Sequence, residues 1–149
     1  MKKLIMVFSI FSVFFLGGCS FLNEVNNSLD YATNATDYVN EVKQFSEEIP
    51  TLAEQAVTDS EARVTLEEEL TQMKADIQEF NELEPPGVAE DIHQSIVGHN
   101  ETLEKGIDKY LTHVENGEVD LKFLEESEIF ATANEITELL DAINKLSGE

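Results

Sequence analysis

Three histidines are the first residues in this chain that could do chemistry, either as metal ligands or as proton carriers. His93 and His99 lie six residues apart, which is about 240° around a helix, so they face different sides. His99 and His113 share one stripe, but about 21 Å of helix separates them. No HExxH spacing occurs, and the histidines predict neither a metal site nor a cofactor. His99 falls in the apolar register of its helix, which predicts a core or rim histidine.

Nucleophiles and acids offer no clearer active site. Cys19 is the one cysteine, and no Gly-x-Ser-x-Gly turn presents a serine. Carboxylates are abundant, but no pair stands out as the acid and base of a reaction. The segment 115–120 comes nearest to a calcium loop, yet it lacks the alternating ligands and the glycine placement of an EF-hand. The sequence therefore disfavours an enzyme and assigns no catalytic residue.

The N-terminus has the parts of a secretory signal peptide. Lys2 and Lys3 precede an apolar run from Leu4 to Leu16, and small residues follow it. As a helix this run would reach only about 20 Å, against roughly 30 Å of hydrocarbon in a bilayer. A buried core helix is the alternative, but no polar residues alternate in the run to give it an outer face. We predict a signal peptide at residues 1–18 and one mature domain at residues 19–149.

The residues around Cys19 decide how the exported chain is held. Leu16-Gly17-Gly18-Cys19 resembles the lipobox of bacterial lipoproteins. That resemblance implies cleavage before Cys19 and transfer of a diacylglyceryl group to its thiol. The acyl chains would anchor the protein at the extracytoplasmic face of the cell membrane, since two chains hold durably where one does not. The alternative is a free thiol beside an ordinary secretion cleavage site, and an unpaired thiol is a liability in an oxidising compartment.

The mature chain is strongly acidic. Removing Lys2 and Lys3 from the nine basic residues leaves seven against 31 acids, a net charge of −24. Nucleic acid and anionic lipid surfaces would repel such a body, which excludes them as partners. The charge favours cationic partners or divalent ions, although an acidic surface without any particular partner is the commoner case. The acidic run 67–69 is interpreted as a solvated face.

Apolar residues recur at helical spacing through almost the whole mature chain. The first stripe runs from Leu22 to Ile49 and is predicted to end there, since Pro50 disfavours helix at the preceding residue. Capping-box patterns at 51–54 and 58–61 predict a short turn before a second helix. The apolar positions of that helix are Leu66, Leu70, Met73, Ile77 and Phe80.

The second half of the chain contains the clearest breaks. LEPPG at 83–87 separates the second helix from a third, whose stripe runs from Ala89 to Val114 and stops at Asn116-Gly117. Asp120 is predicted to cap a brief LKFLEE turn, and Ser127 to open a last helix through Leu146.

Short connections between such helices favour antiparallel neighbours. We therefore predict an all-α fold, an antiparallel up-down bundle of about four helices. A three-helix array with a frayed first helix is the alternative, because several asparagines weaken that segment. No strand pattern competes with the helical one.

The lipobox together with CSFLNEVNNSLDYATNATDYVNEV, EIPTLAEQAV and FNELEPPGVAEDIHQSIVGHNETLEKGIDKY resembles a family of small lipoproteins of spore-forming Gram-positive bacteria. The similarity covers most of the mature chain. It implies a lipid-anchored helical protein and contributes no catalytic residue.

The helix order places two acidic turns at the end of the bundle away from the membrane. These turns lie around 47–61 and 115–128, and Lys122 is their only predicted cation. We hypothesise that a cationic partner or divalent ions contact this end. The candidate residues are Glu115, Glu118, Asp120, Glu125 and Glu126. The preferred function is a non-enzymatic lipoprotein acting by protein interaction or as an envelope structural element, and the alternative is a cation- or small-ligand-binding sensor or transporter accessory.

Overall fold

The computed structural model describes the backbone of residues 18–147 and the side chains of residues 27–146. The predicted signal peptide falls outside this range except for its last residue, and the side chain of Cys19 falls outside it too. Every regular element in the described range is helical, as predicted. The helices are α1 (Gly18–Ala56), α2 (Ser60–Asn81), α3 (Glu90–Glu115), α4 (Leu121–Glu126), α5 (Ile129–Glu138) and α6 (Leu140–Ser147), with a 3₁₀ turn at Gly87–Ala89 before α3.

Polar contacts between α2 and α3 fix their relative direction. Lys74 of α2 forms an ion pair with Asp108 of α3. Gln78, four residues further along α2, reaches Glu104, four residues back along α3, at 3.5 Å. Because a forward move along α2 corresponds to a backward move along α3, the two helices are antiparallel.

The fourth arm of the bundle is built from α5 and α6 together. His99 of α3 pairs with Glu135 of α5 at 3.1 Å. Gly106, seven residues after His99, lies against Ile129, six residues before Glu135. The α5 helix is therefore antiparallel to α3. Both α5 and α6 pack on α1, and the short α4 also contacts it. The predicted antiparallel bundle is confirmed, with two helices in place of a single last one.

The predicted start and continuity of the last helix are wrong. Ser127 ends α4, because its amide and its hydroxyl both donate to the Leu124 carbonyl. Glu128 then adopts a left-handed backbone with φ of 64°, and α5 begins after it. At Leu139 the amide donates to the Ile136 carbonyl, three residues back. This tighter turn separates α5 from α6.

The first helix does not end at Pro50 as predicted. Proline removes one backbone hydrogen bond from a helix interior, yet α1 continues through it to Ala56. Ile49 and Ala53 on either side of it are buried, as is Ala56. Tertiary packing of this face therefore outweighs the local preference, and the capping box predicted at 51–54 is not a helix start.

Aspartates are the N-cap residues of two helices whose starts were predicted. Asp59, rather than Thr58, caps α2 by accepting a hydrogen bond from the Glu61 amide at 2.8 Å. Asp120 caps α4, as predicted, by accepting from the amide of Lys122 at 2.9 Å. In each case a side-chain oxygen satisfies a backbone donor that has no partner within its own helix.

The end of α3 agrees with the Asn-Gly signal in the sequence. The Glu118 amide donates to the His113 carbonyl, and the Gly117 amide donates to the Val114 carbonyl, both at 2.9 Å. Gly117 has φ of 82°, in the left-handed region that favours glycine. These features are those of a Schellman C-cap.

The core is one continuous cluster that all the arms share. The predicted apolar stripe of α2 is buried at every position: Leu66, Leu70, Met73, Ile77 and Phe80. Burial of each leucine or isoleucine contributes roughly 1.5–3 kcal/mol to the folded state. Packing of these stripes, rather than intrinsic helix propensity, holds the bundle together.

Candidate functional site

The turn at 57–59 and the loop at 116–120 lie side by side at one end of the bundle, which we call the distal tip. Arg63 of α2 connects them. Its Nη2 donates to the Ala56 carbonyl at 3.4 Å, and its Nη1 lies 3.8 Å from where a Cβ would stand at Gly117. A cation beside the last carbonyls of α1 also complements the helix dipole. Arg63 is a second cation of the tip and lies just outside the turn predicted at 47–61.

The five acids predicted as contacts at the distal tip do not converge on one point. Glu118 pairs with His113 at 3.5 Å, and Glu126 pairs with Lys122 at 3.7 Å. The Asp120 carboxylate is engaged as the cap of α4. Within residues 27–146, no group of three His, Cys, Asp or Glu side chains could hold a metal ion. Partner contact by Glu115, Glu118, Asp120, Glu125 and Glu126 stays a prediction.

Three other acids within the range predicted as the first distal turn belong to α1, because that helix continues to its end at Ala56. Glu47 and Glu48 are exposed along the side of the bundle, and Glu54 is exposed in the last turn of α1 before the tip. The acidic surface is therefore distributed along the arms as well as at the tip.

A cleft of about 230 Å³ lies between α1 and α2, which we call the α1–α2 cleft. The rings of Tyr38 and Phe80 stack at its base with centroids 4.4 Å apart. Four carboxylates from the two helices line it: Asp37, Glu41, Asp76 and Glu79. Carboxylates around aromatic rings are a surface that favours cations.

The charges in the α1–α2 cleft repel one another. Partial burial raises the pKa of Glu41 above its ordinary value, and three neighbouring carboxylates raise it further. These neighbours are Asp76, Asp37 and Glu79. Because the folded protein binds this proton more tightly than the unfolded chain, ionised Glu41 lowers stability at neutral pH. The penalty disappears as the pH falls below the ordinary carboxyl range.

Replacing Glu41 with glutamine is therefore expected to stabilise the protein at pH 7. The gain should stay below about 1 kcal/mol, because solvent screens these carboxylates. It should vanish at about pH 3, below the ordinary carboxyl range, where the wild-type carboxyl is protonated in both states. Urea midpoints of the two proteins at about pH 7 and pH 3 measure the difference.

The matched control for this substitution is Glu54→Gln, which removes an exposed charge of the same helix outside the cleft. It reports the general benefit of lowering the net negative charge. An equal gain from the two substitutions, or a gain from Glu41→Gln that persists at about pH 3, would contradict like-charge repulsion in the cleft.

A line of buried polar groups crosses the core from α1 to α3. The Tyr31 hydroxyl and His93 Nδ1 lie 3.2 Å apart. Seven residues along each helix, the Tyr38 hydroxyl donates to Asn100 Oδ1. Asn100 Nδ2 in turn donates to Asn81 Oδ1 of α2 at 2.8 Å. Equal steps in the same direction show that α1 and α3 run parallel, as opposite arms of an up-down bundle must.

Two aromatic contacts enclose His93 within this line. Its ring stacks on Phe80 with centroids 5.1 Å apart and meets Tyr31 edge-on. Burial lowers the pKa of His93, so the imidazole is neutral at pH 7. Burial also raises the pKa of the Tyr31 phenol to about 12. The contacts of His93 with Tyr31 and Phe80 therefore stabilise the packing of the core.

His93, rather than His99, is thus the buried histidine. His99 lies at the rim, paired with Glu135, which agrees with the predicted core or rim position. The sequence did contain a signal for the buried pair, because Tyr31 and Tyr38 have the same heptad spacing as His93 and Asn100. The match gains meaning only once the fold places α1 and α3 across the core from each other.

Comparison with known proteins identifies the family. Residues 31–146 match a family of unknown function, DUF6376. The chain belongs to this family. It is also 42% identical to the uncharacterized lipoprotein YybP of Bacillus subtilis (strain 168) over 146 residues. This match covers 98% of this chain and 99% of that protein. No solved structure matches the chain.

These similarities confirm the resemblance to small lipoproteins that the motifs indicated. None of the helices within residues 18–147 has the length and apolarity needed to cross a membrane.

Proposed function

We propose that this chain is a non-enzymatic lipoprotein, anchored through acyl chains on Cys19 and acting by binding a protein of the cell envelope. The observation that carries the anchor is the LGGC lipobox after a short apolar run. The relative from Bacillus subtilis, which is similar along nearly the whole chain, is named a lipoprotein, and this supports the same reading. The anchor would hold the acidic body at the extracytoplasmic face of the cell membrane.

The surface of the body supports a binding role. Its net charge of −24 after signal cleavage leaves most carboxylates without a cation of the same chain to pair with. A clustered negative field steers cationic partners and speeds their association. The buried histidine is engaged by Tyr31 and Phe80, which fits a structural use better than proton transfer to a substrate.

We expect Cys19→Ser to abolish both acylation and membrane retention. Cells are grown with an alkyne fatty acid, and the protein is labelled by click chemistry and fractionated. Wild-type protein should carry label and sediment with membranes, whereas Cys19→Ser should carry none. Ser20→Ala, next to the modified residue, is the control and should behave as wild type. Equal labelling of wild type and Cys19→Ser, or wild-type protein free in the medium, would refute the anchor.

Capture of a partner tests the binding role of the protein at the membrane. Crosslinking in intact membranes, followed by purification of wild-type protein, should recover a specific envelope protein. Cys19→Ser should lose that partner because it leaves the membrane. Recovery of the same proteins with an unrelated acidic lipoprotein would argue against a dedicated partner.

A second candidate function is the binding of small cations, and the α1–α2 cleft favours it. Its four carboxylates could hold an organic cation such as a polyamine. A thermal-shift screen against polyamines and divalent metals discriminates the two functions. A rise in Tm with spermidine, beyond that of potassium chloride at equal ionic strength and lost in Glu41→Gln, would favour this candidate.

A further inference from the structure

A second and larger depression lies on the outer side of the bundle, between α2 and α3. We call it the α2–α3 groove, and its volume is about 720 Å³. Three apolar residues, Val64, Ala75 and Leu111, line it together with the polar Thr71 and Gln72. Val64 leaves 54% of its surface exposed. Val64 therefore presents apolar surface to solvent within the same groove as the carboxylates that follow.

Carboxylates from both helices complete the lining of the groove. They are Glu67, Glu68, Glu69 and Glu115. None of the four forms an ion pair with another residue of the described part of the chain. The groove thus combines exposed apolar side chains with carboxylates that form no ion pair within residues 27–146.

The register of α2 against α3 sets the length of the groove. The pairing of Lys74 with Asp108 lies level with Ala75 at one end. The same antiparallel register brings Glu67 level with Glu115, and Val64 lies beyond them towards the distal tip. From Val64 to Ala75 the helix rises about 16 Å, which is three turns. An occupant of matching length is a helix of about eleven residues.

We propose that the α2–α3 groove binds a basic amphipathic helix of a partner protein. This inference rests on the proposed function and adds the chemistry of the partner. Apolar residues on one face of that helix, at i, i+3 or i+4 and i+7, contact Val64 and Leu111. Lysines or arginines on its flanks face Glu68 and Glu115, which fixes the orientation and raises the association rate.

The α1–α2 cleft is a poorer site for such a helix. It is about a third as large, and its aromatic base is already packed, since Tyr38 bonds to Asn100 and stacks on Phe80. A helix laid there would meet little exposed apolar surface. It therefore serves as the rival acidic site in the experiment.

The test uses the full mature chain with Cys19→Ser, which keeps lipid out of the assay. The probe is a fluorescein-labelled 14-residue peptide of lysine and leucine with the leucines at helical i, i+3 and i+4 spacing. A second peptide has the same composition but distributes the leucines around the helix. Fluorescence anisotropy near physiological salt should show at least tenfold tighter binding of the amphipathic peptide. Equal binding of the two peptides, or none of the first, overturns the proposal.

A pair of valine substitutions locates the site at constant net charge. Val64→Lys should weaken binding at least tenfold, because it removes the exposed contact and repels the lysines of the probe. Val88→Lys makes the same change at a valine that is 64% exposed outside the groove, and should stay within twofold of the parent. Circular dichroism confirms that both variants are folded. Equal weakening by the two would mean that binding follows net charge alone, and the proposal would fail.

A second pair of variants separates the two acidic sites. Glu68→Gln with Glu115→Gln neutralises the border of the α2–α3 groove, and Asp37→Asn with Glu79→Gln neutralises the α1–α2 cleft. Only the first pair should weaken binding by more than fivefold. A larger effect of the second pair would assign the peptide to the cleft and overturn the proposal. These results do not depend on acylation, so a failed anchor and a failed groove remain distinguishable.

Discussion

Replacing Gly106 with alanine is expected to lower the free energy of unfolding by about 2 kcal/mol, even though alanine favours the helix by about 1 kcal/mol. A Cβ at this position would lie 2.6 Å from the Ser127 carbonyl oxygen and 3.0 Å from Cγ1 of Ile129. The first of these neighbours is backbone, so α3 and the start of α5 must move apart. Thermal or urea unfolding followed by circular dichroism measures the loss.

Gly98 provides the matched control within the same helix. A Cβ at Gly98 would meet nothing within 4 Å, so Gly98→Ala gains only the helix preference and should stabilise the protein by about 0.5–1 kcal/mol. The same substitution eight residues apart should thus have opposite signs. Stabilisation of the protein by both substitutions, or destabilisation by both, would contradict the close approach of α3 to α5.

The close approach at Gly106 explains how the last arm is arranged. The chain leaves α4 at Ser127, turns through the left-handed Glu128 and enters α5 directly against α3. A side chain at 106 would occupy the path of that turn. Neither feature could be predicted from the sequence, because Gly106 lies in a regular apolar pattern and glutamate is an uncommon residue for positive φ.

Predictions from the sequence were confirmed where local chemistry and core packing favour the same structure. The α2 stripe, the Asn-Gly end of α3 and the Asp120 cap all occur as predicted. Each depends on residues within a few positions of one another. The spacing of apolar residues then leaves few arrangements other than an antiparallel bundle.

The prediction failed where tertiary packing overrides a local signal. Pro50 is a strong helix breaker, yet the buried Ile49 and Ala53 beside it belong to the core that the other arms complete. Nothing within a window around Pro50 reveals those partners. The same limit applies to Arg63, whose contacts come from the end of α1 and the loop after α3.

The candidate surfaces show this limit more clearly. The run 67–69 was interpreted as a solvated face, and in the sequence it is only a set of adjacent acids. The structure places Glu67 of this run level with Glu115 on another helix, and Val64 and Leu111 line the same groove. This combination of acidic and apolar residues becomes visible only when two helices are placed side by side.

Polar residues inside the core raise a related question of what specifies the bundle. Tyr38 and Asn100 occupy buried positions that apolar residues could fill, with the half-buried Asn81 beside them. Burying a polar group without a partner is costly. Their hydrogen bonds join three arms, and they are satisfied only when α1, α2 and α3 are correctly aligned. Such a network favours one register over its shifted alternatives.

Replacing Asn100 with leucine should therefore destabilise the protein by about 2–4 kcal/mol, although leucine is apolar and similar in size. Asn100 is fully buried, and its loss leaves the Tyr38 hydroxyl and the Asn81 amide without their partner. The effect should be a lower urea midpoint. A neutral or stabilising result would mean that the network contributes nothing to the folded state.

The double variant Tyr38→Phe with Asn100→Leu separates the hydrogen bond from packing. Tyr38→Phe alone leaves Asn100 Oδ1 without its donor, and Asn100→Leu alone leaves the Tyr38 hydroxyl buried and unpaired. The double variant removes both groups, so it should be more stable than the sum of the two single effects by at least about 1 kcal/mol. Strict additivity of the unfolding free energies would instead show that the two residues act independently. Because this bond joins opposite arms, coupling between them is the measurable sign that the buried polar line aligns α1 with α3.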